Sequence, residues 1–134
     1  MVKYLLDTDT LIYFLKGNEP VVRQFANRSP REIGTTIINH AELLFGAFNS
    51  THKKQNLEKI HSFLEVLNIA PFCKESSYIF AEHKAFLKKQ GAIIADLDLM
   101  IASIALRHRS ILVTNNLRHF NRIKNLMIEN WSAG

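Results

Sequence analysis

Carboxylates in two short pairs are the side chains of this chain best suited to chemistry. The four aspartates of the 134-residue sequence are Asp7, Asp9, Asp96 and Asp98, so each pair has the spacing Asp-x-Asp. Glu42 adds a further acid within a largely apolar segment, where a carboxylate needs a partner or a solvated side. Carboxylates that meet repel one another unless a cation lies between them, and hard ions such as Mg²⁺ or Mn²⁺ prefer carboxylate oxygens. The residue types therefore predict a divalent-metal site, provided that the fold brings the two pairs together.

Short apolar runs predict strands that would carry these side chains to one edge of a sheet. Ligands bind beyond the carboxyl ends of the strands in a parallel sheet, so polar residues placed just after the strands are expected to meet. The polar residues and runs concerned are Asp7 after residues 2–6, Glu42 in the helix after residues 33–38, Asn115 and Asn116 after residues 111–114, and Asp98 in the helix before that last run.

Strands and helices alternate along the rest of the chain. Apolar residues at 3.6-residue spacing predict amphipathic helices, and short β-branched or apolar runs predict strands. The further predicted helices span residues 10–15, 21–28, 53–67, 74–90 and 96–108, a helical turn spans 116–121, and the further strands span 68–71 and 126–128. Such alternation predicts an α/β sandwich with a mainly parallel central sheet, and because no linker divides it, a single domain over residues 1–134.

Structural explanations compete with the functional one at most of these acids. An aspartate that starts a helix is commonly its N-cap, which is an alternative role for Asp9 and for Asp96 or Asp98. Asp7 could end its strand in an Asx turn, and Asn39 is expected to cap the helix that carries Glu42. The placement of four segments at one edge favours the functional interpretation over these separate ones.

Basic residues collect in the last third of the chain. The sequence has 17 Lys and Arg against 12 Asp and Glu, a formal charge of +5, yet residues 99–128 contain no acid. The basic residues of this segment could bind the phosphates of a nucleic acid, although an exposed arginine is more often simply solvated. They are Arg107, Arg109, Arg118, Arg122 and Lys124, accompanied by His119 and Phe120, which could stack on a base unless Phe120 belongs to the core.

Several other classes of protein are disfavoured by the sequence. Cys73 is the single cysteine and cannot form an internal disulfide, and the six histidines show no zinc-binding spacing such as HExxH. The first apolar run is too short and too acidic for a signal peptide, and the run near residues 99–106 is too short to cross a bilayer. A cytoplasmic protein without a membrane partner is expected.

Five strings resemble the PIN-domain toxins of VapC type, in order and over nearly the whole chain. They are LDTDTLIYFLKG from Leu6, HAELLFGA from His40, GAIIADLDLMIASIAL from Gly91, ILVTNNLRHFNRI from Ile111 and LMIENW from Leu126. The resemblance implies a PIN-like three-layer α/β/α sandwich. It also implies an endoribonuclease dependent on Mg²⁺ or Mn²⁺, the toxin of a type II toxin-antitoxin system, which cleaves a tRNA or another structured RNA loop and so inhibits translation and growth.

The resemblance also assigns roles to residues. Asp7, Glu42 and Asp98 match the metal-binding acids, with Asp96 beside them, while Asn116 matches the fourth family position and Thr8 and Thr114 support the site. An Asn at the fourth position, where many PIN domains have Asp, weakens a second metal subsite. The basic residues expected to bind RNA are Arg118, Arg107, Arg109 and Arg122.

The implied partners are proteins as well as RNA. A VapB-type antitoxin would insert its tail into the acidic site, the toxin would form a homodimer, and the complex would bind promoter DNA only through the antitoxin.

Two other functions remain open from the residues alone. The string YLLDTDT also resembles the motif of haloacid-dehalogenase-type phosphatases, in which Asp7 would be the nucleophile, Asp9 the general acid and Thr114 the second-motif hydroxyl. Only 20 residues follow Thr114, without the acidic pair that this chemistry requires. The second alternative is a noncatalytic module that binds nucleic acid or a protein partner, in which the carboxylates are helix caps.

Overall fold

Five short parallel strands form the centre of the molecule. The structure is a computed structural model that describes residues 2–133. The strands are β1 (Tyr4–Leu6), β2 (Ile33–Thr36), β3 (Asn68–Ala70), β4 (Ile111–Val113) and β5 (Ile128–Glu129). They pair in the order β3-β2-β1-β4-β5, and every pair is parallel. The prediction of an α/β fold with a mainly parallel central sheet is confirmed.

Helices connect the strands and cover both faces of the sheet. They are α1 (Thr8–Leu15), α2 (Glu19–Ala26), α3 (Ile37–Phe48), α4 (Lys53–Glu65), α5 (Lys74–Lys89), α6 (Asp96–His108) and the single turn α7 (Leu117–Phe120), with a 3₁₀ turn at Pro30–Glu32. Among residues 2–133, no helix is both long and apolar enough to cross a membrane.

Two hydrophobic cores lie on opposite faces of the sheet, because successive side chains of a strand point to opposite sides. Leu5 packs with Leu99 and other residues of α5, α6 and α7, whereas Tyr4 and Leu6 pack with residues of α1 to α4 such as Leu43. The three residues of β1 are all buried. This is the three-layer α/β/α arrangement, and its central strand is the one that leads into Asp7.

The order of the strands reverses beside β1. The chain runs outward from β1 to β2 and β3 and then returns across the sheet to β4 and β5. In sheets of this kind, the crevice beyond the carboxyl ends of the strands at such a reversal is where ligands bind. The crevice between the ends of β1 and β4 is therefore the part of the fold suited to a site.

The second strand ends earlier than its sequence suggests. The run at residues 33–38 is rich in β-branched residues, yet only Ile33–Thr36 is strand. Thr36 is the N-cap of α3, because its hydroxyl oxygen accepts a hydrogen bond from the backbone N–H of Asn39 at 3.1 Å. The prediction that Asn39 caps this helix is therefore wrong, and Asn39 lies inside the first turn.

Candidate active site

Asp7 is the buried centre of a hydrogen-bond network at the reversal point. Its backbone leaves β1 and its side chain caps α1, with Oδ1 accepting from the Thr8 backbone N–H at 3.0 Å. Oδ1 also accepts from Nδ2 of Asn39 at 2.8 Å, and Oδ2 accepts from the Thr114 hydroxyl at 2.7 Å. Three segments of the chain thus hold this carboxylate in one orientation.

The Asp7 carboxylate is electrostatically strained. Burial raises its pKa to about 6 and the nearby Asp9 charge adds to the rise, although the hydrogen bonds from Thr114, Thr8 and Asn39 lower it. Only 9% of the residue is exposed. Within residues 2–133, no Lys or Arg nitrogen lies within 4.0 Å of the carboxylates of Asp7, Glu42 or Asp98. The site therefore concentrates negative charge without a neighbouring ammonium or guanidinium group.

Glu42 joins the same network from α3. Its Oε1 accepts from the Thr8 hydroxyl at 2.7 Å and lies 3.5 Å from Nδ2 of Asn39. Asn39 and Glu42 are three residues apart, so both face the site from one side of the helix. The fully buried amide of Asn39, which also donates to Thr8 Oγ1 at 2.9 Å, thus connects the two carboxylates.

Asp98 enters from the other face of the sheet, in the first turn of α6. Its Oδ2 lies 3.4 Å from Nδ1 of His119, which in turn lies 2.9 Å from Nδ2 of Asn116. The backbone N–H of Asn116 donates to Thr114 Oγ1 at 3.0 Å, and that hydroxyl donates to Asp7. Nδ1 of His119 can accept from the Asn116 amide or, when protonated, donate to Asp98, but not both at once. A continuous network of polar contacts therefore runs from Glu42 through Asp7 to Asp98.

Asp9 forms hydrogen bonds across the crevice and is not the N-cap of its helix. Its Oδ1 accepts from the backbone N–H of Thr10 at 2.7 Å, and its Oδ2 accepts from that of Asn115 at 3.1 Å. The N-cap of α1 is Asp7, so the prediction that Asp9 caps this helix is wrong. Asp9 instead connects α1 to the loop that follows β4.

Asp96 points away from the other acids. Its Oδ1 forms an ion pair with Nζ of Lys84 on α5 at 2.9 Å, and its side chain is 59% exposed. The N-cap of α6 is Ala95, so neither Asp96 nor Asp98 is the cap of that helix. The structure therefore brings Asp7, Glu42 and Asp98 into one network and leaves Asp96 outside it.

The basic residues divide between two ends of the molecule. Arg118 lies on α7, two positions after Asn116, and Nη1 of Arg122 lies 3.4 Å from the backbone oxygen of Ile93. Arg107 is nine positions beyond Asp98 on α6, which corresponds to about 14 Å along the helix. Arg109 ends that helix in the left-handed conformation, with φ 55°.

Arg107 and Arg109 therefore lie at the opposite end of α6 from Asp98, and RNA binding by these two residues stays a prediction. Helix α6 carries acids at its start and bases at its end, as the helix dipole favours. Phe120 is fully buried in the core and cannot stack on a base.

The acids do not form a closed metal cluster. Among residues 2 to 133, no three His, Cys, Asp or Glu side chains already stand close enough together to enclose an ion. The donors are nevertheless of the right kind, since carboxylates and amides with an unbalanced negative charge suit a hard divalent cation.

Sequence reasoning missed the role of two residues. Asn39, predicted as a helix cap, lies three positions before Glu42, and this spacing is the signal that both share a face of the helix. His119, predicted to stack on a base, lies three positions after Asn116, and this spacing is the signal that both belong to the same short turn.

Comparison with known proteins identifies the family. Residues 4–126 match the family described as "PIN domain". The chain belongs to the PIN-domain family. Its VapC-type relatives include "Ribonuclease VapC2" of Haemophilus influenzae, 37% identical over 98% of this chain and 99% of that protein. The "tRNA(fMet)-specific endonuclease VapC" of Salmonella typhimurium is 30% identical over 98% of this chain and 99% of the relative.

A solved structure of the VapC type has the same fold as this PIN domain. It is the VapBC2 complex of Rickettsia felis bound to a DNA fragment from its promoter, with a TM-score of 0.89 and 34% identity over 98% of this chain and 99% of that one. PIN domains are nucleases that act on phosphodiester bonds and generally use divalent metals, so the prediction of a hydrolytic enzyme is confirmed. The phosphatase and the noncatalytic module are set aside.

Proposed function

We propose that this PIN domain is a Mg²⁺- or Mn²⁺-dependent endoribonuclease and the toxin of a type II toxin-antitoxin system. It acts in the cytoplasm, where cleavage of a tRNA or another structured RNA loop inhibits translation and growth. The observation that carries the proposal is the continuous network from Glu42 through Asp7 to Asp98, which lies at the reversal point and has no Lys or Arg partner within residues 2–133.

Asp7, Glu42 and Asp98 are the residues that would hold the metal. When bound, the ion would lower the pKa of a water molecule and neutralise the charge that develops on the phosphodiester. The raised pKa of Asp7 supports this assignment, because a buried carboxylate beside another acid is stabilised by a cation. Asp96 would act only through its charge, from outside the network, and Asn116 leaves a weaker second subsite.

The neighbouring polar residues would position these acids. Thr114 and Asn39 fix the two oxygens of Asp7, and Thr8 fixes Oε1 of Glu42. Positioning of this kind keeps the acids oriented before the substrate arrives, so that little reorganisation is needed during cleavage. Thr8 and Thr114 are therefore supporting residues in this proposal.

The substrate proposed is a tRNA, because a relative from Salmonella typhimurium is named a tRNA(fMet)-specific endonuclease. Arg118 lies on α7, two positions after Asn116, and is the basic residue proposed to contact a phosphate next to the cleaved bond. Arg122 follows two residues after the end of α7. Arg107 and Arg109, at the far end of α6, could contact only parts of an RNA distant from the cleaved bond.

A groove beside the site is proposed to bind a VapB-type antitoxin. It has a volume of about 440 Å³, and its lining includes Glu42 together with Leu15, Leu43 and Ile60 from α1, α3 and α4. An apolar segment of the antitoxin would fill this groove, and an arginine in its tail would reach the acids. Promoter DNA would be bound through the antitoxin, as the DNA-bound Rickettsia felis complex suggests, and a homodimer stays a prediction without an assigned surface.

The nuclease proposal is tested by incubating the purified protein with total tRNA and Mg²⁺ or Mn²⁺ and sequencing the new 5′ ends. Cleavage should occur at few sites and should disappear with EDTA, Asp7→Asn or Asp98→Asn. Glu58→Gln, which removes an exposed carboxylate on α4, is the matched control and should cleave normally. Cleavage that persists in purified, folded Asp7→Asn would refute the proposal.

A separate experiment tests whether the antitoxin binds in this groove. A Cβ added at Gly46 in the groove lining meets no atom within 4 Å, so Gly46→Leu should fold and fill the space. Its affinity for the antitoxin should fall by about 10-fold or more, which is 1.4 kcal/mol, while tRNA cleavage by the free toxin is unchanged. Unchanged antitoxin affinity would place the antitoxin elsewhere.

A further inference from the structure

An imidazole occupies one end of an otherwise oxygen-rich site. His119 lies on α7, directly beyond the carboxyl end of β4, with a side chain that is 51% exposed. Its Nδ1 faces Oδ2 of Asp98 at 3.4 Å and the amide of Asn116 at 2.9 Å. Three potential metal ligands of different chemistry, a carboxylate, an amide and an imidazole, therefore surround one small region.

We propose that His119 supplies a nitrogen ligand to the divalent ion at the Asp98 end of the site. The inference builds on the proposed metal-dependent function. As a consequence, the site binds a first-row transition ion such as Mn²⁺ in preference to Mg²⁺.

The ligand types at this end of the site favour a transition ion. Asp98 is the acid in contact with His119, whereas Asn116 carries no charge and Asp96 is paired with Lys84. Mg²⁺ prefers oxygen ligands and keeps several of its water molecules, so an imidazole nitrogen adds little to its binding. A first-row transition ion gains more from an imidazole nitrogen than Mg²⁺ does.

The position of the ring also supports coordination rather than packing. Nδ1, an atom that can present a lone pair, is directed at Asp98 and Asn116, while about half of the side chain remains exposed. Phe120, the next residue, supplies the core contact that anchors α7. His119 is therefore free to respond to an ion without disturbing the core.

Metal binding measured without substrate tests the inference. Isothermal titration with Mn²⁺ and with Mg²⁺ gives both affinities for the native protein, His119→Gln and His119→Glu. Pulsed EPR of the Mn²⁺-loaded protein detects a directly coordinated ¹⁴N nucleus. His61→Gln is the matched control, because His61 also faces a carboxylate, Glu65 at 3.2 Å, but lies on α4 away from the site.

We expect His119→Gln to weaken Mn²⁺ binding by about 10-fold or more and Mg²⁺ binding by less than about 3-fold, with loss of the ¹⁴N signal. His119→Glu, which makes the donor set all oxygen, should strengthen Mg²⁺ binding relative to Mn²⁺. His61→Gln should change neither affinity.

Parallel losses for both ions in His119→Gln, or no ¹⁴N signal in the native protein, would overturn the inference while leaving the proposed nuclease intact. A native protein that binds neither ion would overturn both.

Discussion

Asp7→Asn should make the metal-free protein more stable at neutral pH although it removes the central acid of the site. The pKa of Asp7 is raised to about 6 by burial and by Asp9, whereas in the unfolded chain it returns to its ordinary value near 4. Between these values the folded protein binds more protons than the unfolded one, so the free energy of unfolding falls as the pH rises from about 4 to 6.

The size of the effect follows from the difference between the two pKa values. A difference of about two pH units corresponds to about 3 kcal/mol of stability lost above pH 6. An asparagine avoids that cost, but its Nδ2 can only donate to Thr114, whose hydroxyl now donates to Asp7 at 2.7 Å and would lose that acceptor. Removal of this hydrogen bond offsets about 1 kcal/mol, which leaves a net gain of about 2 kcal/mol.

Urea unfolding in EDTA at pH 7.5 and at pH 4 measures this prediction. Asp7→Asn should exceed the native protein by about 2 kcal/mol at pH 7.5, and the advantage should vanish at pH 4, where Asp7 is protonated in the folded state. Asp96→Asn, the same chemical change in an exposed ion pair, should alter stability by less than about 1 kcal/mol. Equal or lower stability of Asp7→Asn at pH 7.5 would show that the Asp7 carboxylate is not strained.

Three further predictions concern the support of the site, the RNA contacts and the sheet. Asn39→Ala removes a buried donor shared by two acids and should lower cleavage by about 10-fold or more, with a matching fall in metal affinity measured by titration. Arg118→Gln should weaken RNA binding and reduce the slope of log affinity against log salt concentration by about 1, whereas Arg109→Gln should leave cleavage unchanged. Equal effects of the two variants on RNA binding and cleavage would contradict the separation of the two ends of the molecule. Gly34→Ala would place a Cβ against the backbone oxygen of Asn68 in β3 and should cost about 1–3 kcal/mol in urea unfolding, whereas Gly46→Ala, in open space on a helix, should gain about 0.5–1 kcal/mol.

Local patterns in the sequence were sufficient for the architecture, because alternating strands and helices in a parallel sheet leave few arrangements. The position of Asp7 after a buried strand and of Asp98 at the start of a helix predicted that both would reach one edge. The same reasoning failed at Thr36, where a side-chain cap outweighed the β-propensity of the following isoleucines and moved the start of α3.

The orientation of individual side chains lay beyond sequence patterns. Arg107 and Arg118 are separated by only eleven positions, yet one lies at the amino side of β4 and the other beyond its carboxyl end, because the strand lies between them. Asp96 and Asp98 share a helical turn, but Lys84, on the neighbouring helix α5, forms an ion pair with Asp96. Such differences depend on tertiary contacts that no local spacing encodes.

The hydrogen bond between Thr114 and Asp7 joins residues 107 positions apart, so the crevice can be completed only late in the synthesis of the chain. At about 5–20 residues per second, a ribosome needs several seconds to proceed from the first of these residues to the second. Throughout that interval the emerging polypeptide lacks the hydroxyl that holds Oδ2 of Asp7, so a complete crevice exists only in a nearly finished chain.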